Sequence, residues 1–287
     1  MLEKYGELYK NYNLQNHNTY KIKSIAKYFI IINEIAKLKS LITLLKKQKA
    51  KYFIIGNGSN IILPTFYNGV VIKLNFNELV IDDNNIEVGS SYMINKLANE
   101  TVHLGLEGLE WAAGIPGTIG AAIIGNASCY DGSLIPLIAK IEILIDGEYK
   151  TITTKDFKYS YRHTSLRDKK VIILKVFLKL KRGKKEELIK IIKDRTQKRI
   201  ASQPLEFPSA GSVFKNPEKD SAGRLIEEAG LKKYNIGGAE ISEKHANFII
   251  NKNSATSEDI KKLIKIIKKE VYEKYNVDLI LEQEIIN

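Results

Sequence analysis

The sequence contains a single cysteine, Cys129, so the chain cannot form an internal disulfide bond. It has no uninterrupted apolar run close to the roughly 20 residues that a membrane-spanning helix needs. The first residues also lack the apolar core of a signal peptide. We therefore expect a cytoplasmic protein that has no membrane partner.

Patterns typical of metal sites are missing as well. No two of the four histidines stand at a spacing typical of zinc ligands, and the lone cysteine cannot contribute to a cysteine pair. We therefore expect no metal site. The histidines are His17, His103, His163 and His245.

Acidic residues are scarce relative to basic ones, since 33 Asp and Glu stand against 45 Lys and Arg, a net charge of +12. Nucleic acid, an anionic membrane surface or small polyanions such as nucleotides could each be the partner of such a chain. The lysines are not interleaved with aromatic residues as in single-strand binders. We expect nucleotide ligands and no nucleic acid, although a basic nucleic-acid-binding protein stays as an alternative that depends on charge alone.

Apolar patterning predicts a first β-α-β-turn-β lobe, with a strand within residues 20–32 and a helix capped by Asn33 that runs to about Lys47. A second lobe contains a helix from Ser91 to Leu104. It also contains a hairpin at Asp146-Gly147, a dipeptide typical of tight β-turns.

The remaining chain begins near Ser202 and mixes strands with helices. Thr256 and Asp259 form the pattern of a capping box, which predicts the start of a helix that reaches about Tyr275. A final strand is expected over Asp278–Ile286. This mixture of elements places the fold in the α+β or α/β class.

Two glycine-rich loops are candidates for binding phosphate groups. Gly56-Asn57-Gly58-Ser59-Asn60 stands between two strands, where backbone N–H groups can converge on an anion. The second loop is residues 114–122, where a helix starting near Thr118 would point its N-terminus at a ligand. Each loop alone is equally compatible with a tight turn or close helix packing, but two such loops together favour a site for a pyrophosphate-bearing cofactor.

Three further features supply candidate chemistry. Ser212 follows a flexible Ala-Gly pair and precedes Lys215 and Asn216 in residues 209–216. Arg162 provides a guanidinium that can grip a carboxylate or phosphate in a bidentate manner. Glu284 lies two residues after Glu282 in the expected last strand, and paired carboxylates can do acid–base work. A surface serine, a solvated arginine and a solvated strand face are the ordinary alternatives.

In this order and spacing, these segments resemble the UDP-N-acetylenolpyruvoylglucosamine reductase (MurB) family, over nearly the whole chain. The segments that carry the resemblance are residues 16–22, 55–61, 108–117, 161–162, 203–205, 208–217, 222–227, 242–248 and 281–284.

The resemblance implies an α+β protein with an FAD-binding fold of the p-cresol methylhydroxylase (vanillyl-alcohol oxidase) type, made of two α/β lobes and a C-terminal α+β substrate-binding domain. We expect the FAD-binding domain over residues 1–200, with lobes at about 1–76 and 77–200. The substrate-binding domain is expected over residues 201–287, with the last strand returning to the FAD lobes. We expect a monomer.

The resemblance also implies a reaction. NADPH reduces a non-covalently bound FAD, and flavin N5 then delivers a hydride to the enolpyruvyl ether of UDP-N-acetylglucosamine, giving UDP-N-acetylmuramate for peptidoglycan precursors. By the same resemblance, Arg162 stabilises the negative charge that develops on the substrate carboxylate, and Ser212 donates the proton. Glu284 supports protonation. Another FAD oxidoreductase of the same fold is the alternative within enzymes.

The binding residues follow from the same resemblance. The substrate-binding candidates are Tyr161, Arg199, Lys215 and Asn216. The FAD-binding candidates are Asn18, Thr19, Gly56, Asn57, Gly58, Ser59, Asn60, Ile61, Gly114, Ile115, Pro116, Gly117, Thr118, Gly120, Ala121 and Asn126.

This chain departs from the family pattern at several positions. Lys23-Ser24 replace a frequent glycine pair, Ser128-Cys129 replace a Gly-Ala pair, and Gln283 replaces the proline between the last two glutamates. The tyrosine-bearing loop of one family branch is absent, which indicates the shorter branch. Arg199 is then the candidate for covering the substrate diphosphate.

Overall fold

Helices are distributed along the whole chain in the structure, a computed structural model that describes residues 2–287. No helix in this range combines the length and the apolar composition that crossing a bilayer requires. The helices are α1 (Ile35–Lys47), α2 (Ile94–His103), α3 (Ile119–Ile124), α4 (Ser165–Asp168), α5 (Lys185–Ser202), α6 (Ala222–Glu228) and α7 (Ser257–Tyr275).

The strands alternate with these helices, and most of them are short. They are β1 (Glu7–Asn13), β2 (Ile25–Ile32), β3 (Tyr52–Ile55), β4 (Ile61–Ile62), β5 (Phe66–Leu74), β6 (Leu79–Asp82), β7 (Asn85–Gly89), β8 (Leu106–Glu107), β9 (Ser128–Cys129), β10 (Gly132–Ser133), β11 (Ile138–Ile145), β12 (Glu148–Ile152), β13 (Tyr159–Ser160), β14 (His163–Thr164), β15 (Ile172–Lys179), β16 (Lys181–Arg182), β17 (Asn235–Ile236), β18 (Ala239–Ile241), β19 (Ile249–Asn251) and β20 (Glu284–Ile285).

The chain forms two compact units, and each contains segments that are distant in sequence. The first unit comprises the chain up to Tyr9, Phe29–Gly56 and Val70–Lys198. The second comprises Lys10–Tyr28, Asn57–Gly69 and Arg199–Asn287. One four-stranded sheet has the strand order β1-β2-β5-β3.

The first unit is built on a five-stranded sheet in the order β12-β11-β15-β7-β6, in which every neighbouring pair is antiparallel. Helix α3 packs against β15. Apolar residues from the sheet and from α2 and α3, such as Val88, Leu97, Ile123, Ile141 and Val176, fill a continuous core in which these five are at most 1% exposed. Burial of this apolar surface is the main stabilising contribution to the unit.

The second unit contains the three-stranded sheet β17-β18-β19, with α7 packed against β17 and β18. A stripe along α7 is buried at helical spacing, at Ile260, Leu263, Ile264, Ile267 and Val271. Strand β20 pairs in parallel with β4, with Glu284 opposite Ile61.

Two local predictions are confirmed because neighbouring residues alone determine them. Asp146 and Gly147 both adopt positive φ, 51° and 82°, and connect β11 to β12 as a tight hairpin. Thr256 and Asp259 form a reciprocal capping box at the start of α7.

Two predicted helix starts are wrong, and in each case a tertiary contact is the reason. Asn33 does not cap α1, because its side-chain oxygen accepts a hydrogen bond from Asn75 Nδ2 at 2.7 Å and Glu34 takes the N-cap position. Helix α2 begins at Ile94 and not at Ser91, because Met93 forms a bridge with Thr118 and the Ile94 N–H donates to Gly117.

The predicted strand over Asp278–Ile286 is much shorter in the structure. Only Glu284–Ile285 form a strand, and Leu281 contributes an isolated bridge to Phe214. Residues 281–286, which we call the tail, change their backbone hydrogen-bonding partners within a few residues. They therefore do not form one continuous strand.

The capping box leads to a prediction on stability. Replacing Thr256 by alanine removes the side-chain acceptor for the Asp259 N–H, and we expect a loss of about 1 kcal/mol in the free energy of unfolding. Urea denaturation followed by circular dichroism measures this value. Lys265→Ala, an exposed truncation within the same helix, is the control and should change stability much less. Equal losses in the two variants would contradict a capping role.

Candidate active site

The first glycine loop connects β3 to β4, as the sequence predicts. Gly58 adopts φ +63°, and a Cβ atom at this position would lie 2.2 Å from the carbonyl oxygen of His17. No other residue therefore fits without displacing the backbone. Thr19 holds the loop from the other side, because its N–H donates to the Gly58 carbonyl at 3.1 Å.

Asn18 shapes this neighbourhood through hydrogen bonds to its own loop. Its Nδ2 donates to the carbonyls of Leu14 at 2.9 Å and Ile22 at 3.1 Å, while its Oδ1 accepts from the Ile22 N–H at 3.1 Å. The side chain is almost fully buried. Asn18 thus fixes the conformation of the segment that contacts Gly58.

The second glycine loop leads into α3. Thr118 is the N-cap of this helix, and its Oγ1 accepts a hydrogen bond from the Ala121 N–H at 3.4 Å. Gly120 packs closely on Ser90, since a Cβ on Gly120 would lie 3.0 Å from the Ser90 Cβ. Within this loop Pro116 is exposed, whereas Gly117 is buried.

The structure brings parts of the two predicted loops together within the first unit. A Cβ atom on Gly56 would lie 3.0 Å from Thr118 Oγ1 and 3.5 Å from the Ala121 Cβ. A side chain at Gly56 would press against Thr118, so the two loops pack closely at this point. The remaining predicted loop residues, Asn57, Ser59, Asn60 and Ile61, belong to the second unit.

Lys73 is a candidate that the sequence analysis missed. Its ammonium donates a hydrogen bond to the carbonyl of Gly56, which is its one partner among residues 2–287. Burial lowers the pKa of this amine. A half-buried cation without a carboxylate partner is suited to an anionic ligand. The sequence signal that could have identified Lys73 is the presence of a lysine in the otherwise apolar strand segment 70–74.

Arg162 lies in the two-residue turn between β13 and β14 and adopts φ +56°. Its Nη1 donates to the Ser128 carbonyl at 2.9 Å and to Ser128 Oγ at 3.3 Å, and its guanidinium stacks on the ring of Tyr161 at 5.4 Å. Ser128 is one of the departures from the family pattern. Here it supplies an additional acceptor that restrains the arginine.

The Arg162 hairpin is anchored to the end of α3. Asn126 Nδ2 donates to the Ser160 carbonyl at 2.7 Å, and Thr164 Oγ1 donates to the Ile124 carbonyl at 2.8 Å. The Asn126 Oδ1 is buried and has no hydrogen-bond partner among the described residues. A single short helix therefore connects the second glycine loop to the arginine.

Ser212 lies in the second unit on an irregular extended segment with two well-defined anchors. The Val213 N–H donates to the Asn247 carbonyl at 2.9 Å, and the Asn247 side chain pairs with the N–H and the carbonyl of Phe214, at 2.9 and 2.8 Å. Ser212 itself is half-buried, and its hydroxyl makes no hydrogen bond to the described residues. The hydroxyl is thus available as a donor.

Glu284 lies in β20, next to this serine segment along the tail. The Glu282 N–H donates to the Val213 carbonyl at 2.9 Å, and the Glu284 N–H donates to the Asn60 carbonyl at 2.9 Å. Asn60 Nδ2 in turn donates to the Glu282 carbonyl at 3.1 Å. The tail therefore connects the Ser212 segment directly to the first glycine loop.

The other predicted substrate-binding residues are distributed over both units. Tyr161 is exposed beside Arg162 in the first unit, and Arg199 is half-buried near the end of α5. Lys215 is half-buried in the second unit, where its N–H donates to the Ile280 carbonyl at 2.9 Å. Asn216 is exposed, and its Oδ1 accepts from the Ala222 N–H at 3.1 Å, which leaves its amide NH₂ for a ligand.

The residues present fit a flavin dinucleotide. In the first unit, the glycine backbone at Gly56, the half-buried Lys73 ammonium beside it and the unpaired Asn126 oxygen are suited to a cofactor that carries phosphates and hydrogen-bonding rings. Among residues 2–287 no group of three His, Cys, Asp or Glu side chains is placed to hold a metal ion.

Comparison with known proteins agrees with this class of site. Residues 26–143 match the family described as "FAD binding domain", and residues 203–286 match "UDP-N-acetylenolpyruvoylglucosamine reductase, C-terminal domain". Fold and site therefore define an FAD-binding protein of the α+β class.

Relatives and a solved structure identify the family. The UDP-N-acetylenolpyruvoylglucosamine reductases of Caldanaerobacter subterraneus subsp. tengcongensis and Bacillus subtilis are each 38% identical to this chain over 286 residues, covering 99% and 98% of it and 95% and 94% of their own lengths. The crystal structure of UDP-N-acetylenolpyruvylglucosamine reductase (MurB) from Thermus caldophilus aligns with a TM-score of 0.84 at 31% identity, over 98% of both chains. The chain belongs to the UDP-N-acetylenolpyruvoylglucosamine reductase family.

The lack of space for a side chain at Gly58 leads to a prediction. In Gly58→Ala the new Cβ would collide with the His17 carbonyl, so the loop must move and FAD affinity should fall at least about tenfold, or 1.4 kcal/mol. Titration of the apoprotein with FAD, followed by flavin fluorescence, measures the affinity.

The control is Gly230→Ala. Gly230 also has positive φ, +79°, but a Cβ there meets nothing within 4 Å. This variant should lose about 1–2 kcal/mol of stability from backbone strain and keep its FAD affinity. Wild-type FAD affinity in Gly58→Ala would show that the loop does not hold the cofactor.

Proposed function

We propose that this protein is an NADPH-dependent flavoenzyme that reduces the enolpyruvyl group of UDP-N-acetyl-3-O-(1-carboxyvinyl)-glucosamine. The product is UDP-N-acetylmuramate, a peptidoglycan precursor. Family membership supports the reaction, and one structural observation supports the mechanism. Ser212 presents an unpaired hydroxyl on a segment that is fixed by Asn247 and by the tail that carries Glu284.

FAD is the cofactor, and its proposed contacts are the residues of the two glycine loops with Asn18, Thr19 and Asn126. Bound there, FAD would supply hydride chemistry, by which a hydride from NADPH reaches the terminal carbon of the substrate double bond. Lys73, beside the Gly56 carbonyl, adds a positive charge for the pyrophosphate. Asn18 contributes by fixing the loop, since both ends of its amide are already hydrogen-bonded.

The proposed task of Arg162 is to stabilise charge. Hydride addition to the alkene places negative charge on the neighbouring carbon and on its carboxylate, and a guanidinium can bind that carboxylate through two parallel hydrogen bonds. The contacts to Ser128 and Tyr161 support this proposal, because they hold the arginine in place before substrate binds. Pre-organised charge lowers the barrier without rearrangement during the reaction.

Ser212 completes the addition in this proposal. Its hydroxyl proton goes to the carbon next to the carboxylate, so the double bond gains one hydride and one proton, and solvent restores the proton of the serine. A hydroxyl is a weak acid, but the enolate-like carbon is strongly basic and the fixed segment supplies orientation. Glu284 polarises the substrate and supports this protonation.

The remaining assignments concern the UDP-sugar and the domains. We propose that Tyr161, Lys215 and Asn216 bind charged groups of the substrate and that Arg199 covers its diphosphate. Residues 1–200 would form the FAD-binding domain and residues 201–287 the substrate-binding domain. In this proposal the protein works as a cytoplasmic monomer, and its positive charge serves phosphate-bearing ligands, not nucleic acid.

An anaerobic absorbance experiment tests the function. The purified protein should be yellow, bleach when NADPH is added and regain its colour when the enolpyruvyl sugar nucleotide follows. Bleaching without return of colour would indicate a different flavin oxidoreductase. A colourless protein that takes up no FAD would overturn the proposal.

Ser212→Ala should separate the two half-reactions. Reduction by NADPH stays at the wild-type rate, because Ser212 has no part in that step. Reoxidation by substrate falls about 100- to 10,000-fold, the usual contribution of a general acid. Stopped-flow absorbance measures both rates, and Ser40→Ala on the exposed face of α1 is the control. Unchanged reoxidation would remove Ser212 from the mechanism.

Arg162→Lys should slow substrate-dependent reoxidation by about tenfold or more, because a point charge replaces a two-pronged donor. The same stopped-flow assay measures it. Arg182→Lys, at an exposed arginine in the same unit, is the matched control. A wild-type reoxidation rate in Arg162→Lys would count against the charge-stabilising role.

A further inference from the structure

We propose that Gln283 is a positioning residue for Ser212, acting through the carbonyls of Ala210 and Gly211. The inference rests on the proposed function, in which Ser212 donates the proton. It concerns a residue of this chain that stands where the family pattern has proline, a residue without a side-chain donor or acceptor.

Gln283 makes three side-chain hydrogen bonds in the interior of the second unit. Its Nε2 donates to the carbonyls of Ala210 and Gly211, at 3.1 Å each, and its Oε1 accepts from the Tyr20 hydroxyl at 3.0 Å. Gln283 is 3% exposed and Tyr20 is fully buried. All the hydrogen-bonding atoms of this amide are therefore engaged away from solvent.

The chemistry of the partners determines the orientation of the amide. The two carbonyls can only accept, so the NH₂ group must face them, and the amide oxygen must then face Tyr20. Tyr20 has to act as the donor, and burial raises the pKa of its phenol, so the phenol keeps its proton.

Tyr20 is itself linked, through Asn251, to the segment that leads to Ser212. Its carbonyl accepts from Asn251 Nδ2 at 2.8 Å, and the Asn251 N–H donates to the Pro208 carbonyl at 2.8 Å. A closed set of contacts thus runs from Pro208 through Asn251, Tyr20 and Gln283 back to Ala210.

Ser212 depends on this set because of Gly211. Gly211 adopts φ +74°, and nothing lies within 4 Å of the position that a Cβ atom would occupy, so packing does not restrain it. Beyond Ser212 the chain is fixed by the bond from the Val213 N–H to Asn247. Without the Gln283 amide, the serine would follow a glycine that is free to rotate.

Catalysis is sensitive to such freedom. A misplacement of about 1 Å can reduce a rate by about 100-fold, even when its cause is remote from the reacting atoms. Only the step that uses Ser212 should respond. The inference therefore predicts a defect confined to reoxidation by substrate.

The first test uses Gln283→Met in the FAD-loaded full-length protein, because methionine has a similar volume and no amide. We expect reduction by NADPH within about twofold of wild type and reoxidation by the enolpyruvyl sugar nucleotide slower by about 10- to 100-fold. The solvent deuterium isotope effect on reoxidation should increase as protonation becomes limiting. Gln197→Met, an exposed change on α5, is the control.

The second test uses Gln283→Glu and its pH dependence. Burial raises the pKa of the new carboxyl group, so at low pH the protonated form can still donate to one carbonyl. As pH rises through that pKa, the carboxylate faces two carbonyl oxygens and cannot donate. We expect a reoxidation rate that falls with rising pH in a transition absent from the wild type and from Gln283→Met.

The outcomes separate the two proposals. If the wild type is not reoxidised by the substrate, the proposed function fails. If the wild type is reoxidised but Gln283→Met matches it, or loses both half-reactions equally, the positioning role is overturned. Should Gln283→Met fail to fold, Tyr20→Phe decides by the same two rates, with Tyr272→Phe at an exposed tyrosine as its control.

Discussion

The six residues from Leu281 to Ile286 are the constraint on which the candidate site depends, because they bond to two different segments at once. Toward the serine segment, Glu282 donates to Val213. Toward the first glycine loop, Glu284 donates to Asn60 and Ile286 to Ile62. A buried backbone group must find a partner, so the tail, the serine and the loop have to form together.

Lack of space at glycine positions is the second constraint. Gly58 lies against the His17 carbonyl and Gly56 against Thr118, so each loop keeps its shape because a neighbour leaves no room for a side chain. Lys73 adds a positive charge beside Gly56, because its ammonium donates to the Gly56 carbonyl.

Predictions from sequence succeeded where a few adjacent residues determine the outcome. The Asp146-Gly147 hairpin and the Thr256 capping box depend on local backbone preferences, and both are present. Predictions failed where a distant residue competes for the same atom. The Asn33 side-chain oxygen accepts a hydrogen bond from Asn75 and therefore does not cap α1. The family motifs located the candidate serine and arginine. A lysine in an apolar segment and a glutamine in place of proline are visible in the sequence, but the partners of Lys73 and Gln283 are remote along the chain and could not be predicted.

The sequence alone determined the class of elements, the glycine loops and, through motifs in a specific order, the family to which the chain belongs. It could do so because turns, caps and helical stripes are properties of neighbouring residues. Only the tertiary structure decided which buried amides hold Ser212 and which carbonyl Lys73 approaches. Those partners are far apart along the chain, as Tyr20 and Gln283 are, and only packing of the whole unit brings them within hydrogen-bonding distance.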